Sequence, residues 1–250
     1  MRNVKAKKHL GQHFLNDLRI AFNITNLLNK NIKNVVEIGL GTGVLTQFLI
    51  KNDYTTQVVE IDSESVSFLR SNFQDLNIYQ GDFLQLNLKQ KYPFHFSLIG
   101  NFPYNISSQI LFKVFENRNQ IPEIIGMFQK EVAERIVCQR GKKKGILSVL
   151  LQTFYDIEYC FTVNEDVFTP PPKVKSGVIR LTRNNRKKIS VNETKFKKVV
   201  KTAFNQRRKT LRNALKALTL VNEKEIADLL ILRAEQLSVE DFIKLTNHVG

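Results

Sequence analysis

An apolar run, Asn34-Val35-Val36-Glu37-Ile38, leads straight into three glycines spaced two apart, Gly39, Gly41 and Gly43. A helical pattern of Val44, Leu45, Phe48 and Leu49 follows. A buried strand that turns sharply on glycine into a helix is the opening unit of a doubly wound α/β sheet, where backbone must approach a ligand closely. The spacing is Gly-X-Gly-X-Gly, not the dinucleotide Gly-X-Gly-X-X-Gly. No Gly-Lys-Ser/Thr follows, which excludes a phosphate-binding P-loop. Glu37, just ahead of the glycines, fits a pyrophosphate poorly. It suits a cationic ligand, and S-adenosylmethionine carries both an ammonium and a sulfonium.

Three further strands end in polar clusters. Gln57–Asp62 ends in acid about 20 residues after the glycines, where a carboxylate accepts from ribose hydroxyls. Glu60 takes that role, with Asp62 as the alternative. Ile78–Phe83 ends in Gly81-Asp82-Phe83, an acceptor for an adenine amino group with a ring beside it. Phe96–Gly100 runs into Asn101-Phe102-Pro103-Tyr104. Proline ends the strand because it has no N–H for the ladder. The chain turns outward there, offering the Asn101 amide, the Pro103 carbonyl and the Tyr104 ring. An adenine amino group needs acceptors for its two hydrogens and a surface to stack on. In an open α/β sheet such strand ends line the ligand crevice.

Three more strands bring the expected sheet to seven: Glu123–Gln129, Ile157–Val163 and Ser176–Leu181. Helices are expected from Asp17, over Ser107–Phe115, from Lys130, and over Ile146–Tyr155. Between the last two strands Val167–Val174 holds three prolines, which fix Phe168 and Lys173 in an extended segment near the same sheet edge. Phe168 would then form a second stacking wall. The stretch Gly11-Gln12-His13-Phe14-Leu15 is polar and broken by glycine. It is expected to fold over a ligand rather than to join a core.

No apolar run reaches the roughly 18 residues of a membrane span. The basic start of the chain lacks the apolar core of a signal peptide. Cys138 and Cys160 share no metal or redox spacing and read as buried free thiols in a reducing, cytoplasmic setting. No metal-ligand cluster stands out.

The formal charge of +15 points to a polyanion. From Arg180 to Asn213 there are 13 Lys or Arg against one acid, Glu193, and Arg2, Lys5, Lys7 and Lys8 add a second basic block. Two basic blocks flanking a nearly balanced domain suggest a clamp on phosphates. The shift in composition near Thr182 divides the chain into 1–183, an α/β domain with a basic arm, and 184–250, helical and basic. Within the second part Thr194–Leu218 is expected as one helix. Ser238 with Asp241 and Asn222 with Glu225 are expected as helix caps.

No nucleophile–base arrangement stands out, which fits methyl transfer, where positioning of an activated methyl is the main requirement. The sequence resembles the ribosomal RNA adenine N(6),N(6)-dimethyltransferase family over nearly its whole length. The resemblance is carried by 11–15, 36–43, Val59-Glu60-Ile61-Asp62, Gly81-Asp82, 100–107, Gln129-Lys-Glu-Val-Ala-Glu-Arg135, 168–174 and 203–213. It implies a Rossmann-like S-adenosylmethionine-dependent domain with a seven-stranded sheet, followed by a small all-helical domain. It implies cofactor contacts at His13, Leu15, Gly39, Glu60, Asp82 and Asn101, with Gly41, Ile61 and Phe83 beside them. A target-base site at Asn101, Pro103, Tyr104 and Phe168 is implied too, and S-adenosylhomocysteine as product. The family usually has Asn where His13 stands and Leu where Phe102 stands.

The implied partner is small-subunit ribosomal RNA, or the immature small subunit, with no membrane and a monomeric enzyme. RNA contacts are expected at Lys173, Arg207, Arg208, Lys209 and Arg212. Arg207–Asn213 looks like the small-subunit group. The sister group that methylates a large-subunit adenosine and confers macrolide resistance is the alternative, with a non-catalytic RNA-binding assembly factor as a third reading.

Overall fold

The computed structural model describes residues 4–250, so Arg2 of the basic arm lies outside the described residues. Among the described residues there are nine strands: β1 Phe14–Leu15, β2 Asn34–Ile38, β3 Thr55–Glu60, β4 Asn77–Gln80, β5 Ser97–Asn101, β6 Glu123–Gln129, β7 Tyr155–Val163, β8 Phe168–Thr169 and β9 Ser176–Arg183. Seven form one sheet in the order β4-β3-β2-β5-β6-β9-β7. From β4 to β6 every neighbouring pair is parallel, and β9 runs antiparallel to β6. The central parallel strands β2, β5 and β6 are buried almost throughout, as strands covered on both faces must be, whereas the edge strand β4 is partly exposed. The order reverses between β2 and β5, which makes the carboxyl ends of these two strands the ligand crevice of a doubly wound sheet.

Helices α1 Leu18–Thr25, α2 Thr46–Lys51, α3 Ser63–Asn72, α4 Leu88–Lys91 and α5 Ser107–Glu116 separate the strands. Local chemistry sets their starts. Asp17 caps α1 through the amides of Arg19 and Ile20, Asp62 caps α3 through Glu64, and Asn87 caps α4 through Gln90. One core cluster joins Ala21, Ile24, Leu49, Ile99, Ile125, Met127 and Val178.

The chain falls into two compact units. The first comprises 1–133 and 157–183. The second comprises 134–156 and 184–250. The contiguous split expected at 183/184 therefore becomes a discontinuous one, because 134–156 interrupts the sheet unit. The chain leaves the first unit within α6 Lys130–Val137, and α7 Ile146–Gln152 belongs to the second.

The second unit is helical: α8 Glu193–Asn205, α9 Leu211–Ala214, α10 Ala227–Leu230 and α11 Val239–Asn247. The single helix expected over Thr194–Leu218 breaks at 206–210. The buried stripe of α8 is Phe196, Val199, Val200 and Ala203, and one more turn would place Arg207 on it. The chain turns instead, and Leu211 is buried with its amide on the Leu232 carbonyl at 2.7 Å. The Ser238–Asp241 capping box is present. Asn222 makes no side-chain cap, since it takes a left-handed conformation with φ of 52°. Cys138 and Cys160 are free thiols but only half-buried, against the expectation of full burial.

Candidate active site

A cavity opens at the carboxyl ends of β2, β3 and β5, and the segment Leu10–Leu15 runs along it. Its lining includes His13, Leu15, Gly39, Gly41, Glu60, Ile61, Asn101, Pro103 and Tyr104, drawn from four separate motifs. Two glycines make this closeness possible. Gly39 has φ of 70°, and a Cβ there would stand 3.2 Å from the Asn101 carbonyl and 3.3 Å from Pro103. Gly41 has φ of 56°, and a Cβ there would meet the Phe14 ring at 2.4 Å. Side chains at either position would force the walls apart.

The 11–15 stretch is not the purely polar cover its composition suggests. Phe14 and Leu15 form β1, which pairs antiparallel with β8, Phe14 opposite Thr169 and Leu15 opposite Phe168. Both are buried, and Leu15 joins the core cluster. Phe168, expected as a second stacking wall, is buried in that same cluster at 2% exposure and is not among the residues lining the cavity. The pairing with β1 turns its ring inward. The ring that stacks against Tyr104 is His13, with centroids 5.5 Å apart and planes at 28°. His13 Nδ1 donates to the Pro170 carbonyl at 2.7 Å, since a carbonyl can only accept.

Asn101 has one fixed orientation. Its Nδ2 donates to the His13 carbonyl at 2.8 Å, which turns Oδ1 the other way as an acceptor. The Pro103 carbonyl takes the Ile106 amide at 3.1 Å, which leaves its second lone pair. The Tyr104 hydroxyl is bonded to the Ser176 hydroxyl at 2.5 Å. Phe102 is among the residues that line the cavity, but it is fully buried and its ring packs edge to face on Phe128 at 5.2 Å. Its extra bulk over Leu is absorbed by glycines: a Cβ on Gly100 or Gly126 would fall within 3.0 Å of the Phe102 ring.

Electrostatics set this end of the sheet apart. Glu37 is 1% exposed, and its carboxylate accepts from the Thr46 hydroxyl at 2.8 Å. Burial pushes its carboxyl up to about 8, against that hydrogen bond and helped by the nearby charge of Glu60. Burial also raises Glu60, although it accepts from the Asp62 amide at 2.9 Å and from the Gly41 and Ile61 amides. Burial works against ionised Asp62 as well. There the Lys7 ammonium, the Ser65 hydroxyl and the Glu64 amide outweigh it and hold the carboxyl below the usual range. Asp62 is thus engaged by Lys7 and by the start of α3, and of these two acids Glu60 is the one that lines the cavity, together with Glu37.

Asp82 and Phe83 lie outside the cavity lining. Asp82 caps the short turn Phe83–Gln85 through the Leu84 amide, and Phe83 is buried. Lys113 of α5, which the motifs did not reveal, secures that turn. Its Nζ donates to the Leu84 carbonyl at 2.8 Å and the Leu86 carbonyl at 2.6 Å and sits 5.4 Å over the Phe83 ring. Thr46 and Ser176 were also missed: Ser176 meets Tyr104 from far along the chain, and Thr46 lies just beyond the glycines, outside the motif that singled out Glu37. Lys173 is exposed beyond β8. In the second unit Arg208, Lys209 and Arg212 are exposed at the 206–210 turn and the start of α9. Arg207 donates to the Lys142 carbonyl, and Arg212 pairs with Glu223 at 2.8 Å.

The residues fit S-adenosylmethionine: a buried, uncompensated carboxylate beside a glycine turn suits a cation, and Glu60 suits a ribose. Among the described residues no cluster could hold a metal ion. Fold and site together define an S-adenosylmethionine-dependent methyltransferase of the Rossmann-like class.

Residues 3–249 match the family model described as ribosomal RNA adenine dimethylase, and the chain belongs to that family. It is 59% identical to the ribosomal RNA small subunit methyltransferase A of Cytophaga hutchinsonii, over 99% of this chain and 98% of that one. Its identity to the protein of the same name from Flavobacterium johnsoniae is 55%, over 100% and 97%. Among solved structures, a dimethyladenosine transferase from Plasmodium falciparum superposes with a TM-score of 0.80 at 26% identity, covering 95% of this chain and 99% of that one. The 23S rRNA methyltransferase ErmE shares the fold, with a TM-score of 0.73 at 22% identity over 94% and 99%.

Proposed function

We propose that this enzyme transfers methyl groups from S-adenosylmethionine to the exocyclic amino nitrogen of two adjacent adenosines near the 3′ end of small-subunit (16S) ribosomal RNA. The products are dimethyladenosines and S-adenosylhomocysteine. We assign it a role in small-subunit biogenesis, acting in the cytoplasm as a monomer. Among the described residues no helix is long and apolar enough to cross a membrane.

The observation that carries the reading is the orientation of Asn101. With Nδ2 held by the His13 carbonyl, Oδ1 is the atom left to meet an incoming amino group, and the Pro103 carbonyl lies two residues on. The adenine amino nitrogen is a poor nucleophile because its lone pair is delocalised into the ring. Acceptors at Asn101 Oδ1 and the Pro103 carbonyl draw both N–H bonds out of the ring plane and free the lone pair. The bound cofactor supplies an activated methyl group. Glu60 accepts from the ribose hydroxyls, Asp82 and Phe83 address the adenine, and ionised Glu37 opposes the positive charge. The surplus proton leaves after transfer, so no strong base is needed. Tyr104 offers the stacking surface that offsets part of the few kcal/mol of taking a base out of its stack. Phe168 is the candidate for a second wall. Lys173, Arg207, Arg208, Lys209 and Arg212 contact RNA phosphates.

The test is methyl transfer from labelled S-adenosylmethionine to small and large subunits lacking the marks, with the product nucleoside identified. Dimethyladenosine on small-subunit RNA is expected. Label on the large subunit alone would overturn the substrate assignment, and no label on either would overturn the catalytic one.

A further inference from the structure

Tyr104 lines the cavity at the end of the Asn-Phe-Pro-Tyr turn, half-buried where Phe102 is fully buried, and three contacts hold it. The His13 imidazole lies against its ring. Its main-chain carbonyl accepts from the Ser107 hydroxyl at 3.2 Å. Its phenol tip meets the Ser176 hydroxyl at 2.5 Å. The first two contacts leave the ring free to swing about its own side-chain bonds, because one is a sliding contact and the other lies on the backbone. Only the third fixes the tip.

Ser176 is suited to that task. It is fully buried and opens β9, in register with Gln129 at the end of β6, so the sheet fixes its position. The residue before it is tied down too, the Lys175 carbonyl accepting the Lys130 amide at 2.8 Å. Burial would penalise a phenol left unpaired here, and the serine hydroxyl satisfies it. Ser176 also stands at the end of the proline-rich segment, so one bond joins the Tyr104 turn to the segment that carries Lys173.

We propose that Ser176 is a positioning residue for methyl transfer: its hydroxyl holds the Tyr104 hydroxyl and so sets the plane against which the target adenine stacks. The proposal rests on the reading of Tyr104 as the base-stacking wall. Ser176 touches neither reactant and acts through Tyr104 alone. Misplacing a reacting group by about 1 Å can cost about 100-fold in rate, so losing this tether, with the ring still present, is expected to cost about tenfold.

The experiment is a double-mutant cycle on methylation of under-methylated small subunits, comparing wild type, Ser176→Ala, Tyr104→Phe and the double variant. Each single change is expected to lower kcat about tenfold. The double variant should be no slower than Tyr104→Phe, because both delete the same bond. S-adenosylmethionine affinity, measured by direct titration, should not move, and Ser176→Thr should restore the rate. Single effects that multiply in the double variant would overturn the proposal, as would Ser176→Ala at the wild-type rate. If Ser176→Ala fails to fold, Tyr104→Phe reports on the same bond from the other side, and a wild-type rate for it would overturn the proposal. Tyr104→Ala separates the two readings. Full activity in that variant would remove the stacking role itself, whereas a large loss beside an unaffected Ser176→Ala would remove only the role of Ser176.

Discussion

The sheet buries a glutamate at each of its two ends, and the two are treated oppositely. Glu123 opens β6 at the end of the sheet away from the cavity. Its Oε1 takes a forked pair of bonds from Arg180, at 3.0 and 2.7 Å, and its Oε2 takes the Ser97 hydroxyl and the Asn29 amide, both at 3.0 Å. Glu37 lies in β2 at the cavity end, equally buried at 1% exposure. It has the Thr46 hydroxyl, a second acid nearby in Glu60, and a carboxyl pushed up to about 8. A buried charge is tolerated when paired and otherwise stays protonated. One end of the sheet is complete as folded, and at the other we propose that a cation from outside pairs with the buried acid.

Five measurements break or sharpen that contrast. The largest effect is expected at the cavity end. Asn101→Ala should cut the single-turnover rate of methyl transfer about 100-fold or more, as losing one poised polar group typically does. Thermal unfolding should register no more than about 1 kcal/mol. A wild-type rate would refute the acceptor role. At the far end the pattern should invert. Arg180→Met should cost about 3 kcal/mol of stability in denaturant titration, because it strands Glu123, yet leave S-adenosylmethionine affinity unchanged. A change confined to cofactor affinity would erase the distinction between the ends.

The third concerns pH. Between 4.5 and about 8 the ligand-free protein holds a Glu37 proton that the unfolded chain has released, so this group's contribution to stability falls as pH rises through that window. A bound cation favours the ionised form. Cofactor affinity should therefore rise with pH, by up to about tenfold per unit below 8, and calorimetry in buffers of different ionisation heat should show proton release on binding. Glu37→Gln should flatten the profile to the share Glu60 supplies. An unchanged slope in that variant would exclude Glu37. Fourth, Arg208→Glu or Lys209→Glu in the second unit should lower the salt dependence of RNA binding by about one unit of slope each, without touching either end of the sheet. Fifth and smallest, Lys113→Met should weaken cofactor binding about threefold by loosening the Asp82–Phe83 turn, with kcat preserved. Weakened RNA binding instead would place Lys113 elsewhere in the mechanism.

Much of the cavity was legible in the chain because the doubly wound sheet makes a simple promise: consecutive parallel strands deliver their ends to one edge. Gly39, Glu60 and Asn101 each sit at a strand end marked by apolar runs, and the sheet brings them together. Two placements were not legible. Phe168 lies in a segment whose prolines predict extension but not facing, and the pairing of β8 with β1 turned it into the core. The same pairing, between residues more than 150 apart, buried Phe14 and Leu15 in a stretch that composition reads as a polar cover. The break in α8 was half visible, since Arg207 falls on the apolar stripe when the helical period is carried one turn further.

By itself the sequence determined the class of sheet, the order of its motifs and the chemistry at each strand end, because periodicity, glycine spacing and proline are local properties that local sterics enforce. Only the tertiary structure decided which of two neighbouring acids faces the cavity, which way the Asn101 amide points and which serine holds Tyr104. Each of those outcomes depends on a hydrogen bond between residues distant in sequence. No local preference selects such a bond; burial does, by making every polar group left without a partner costly.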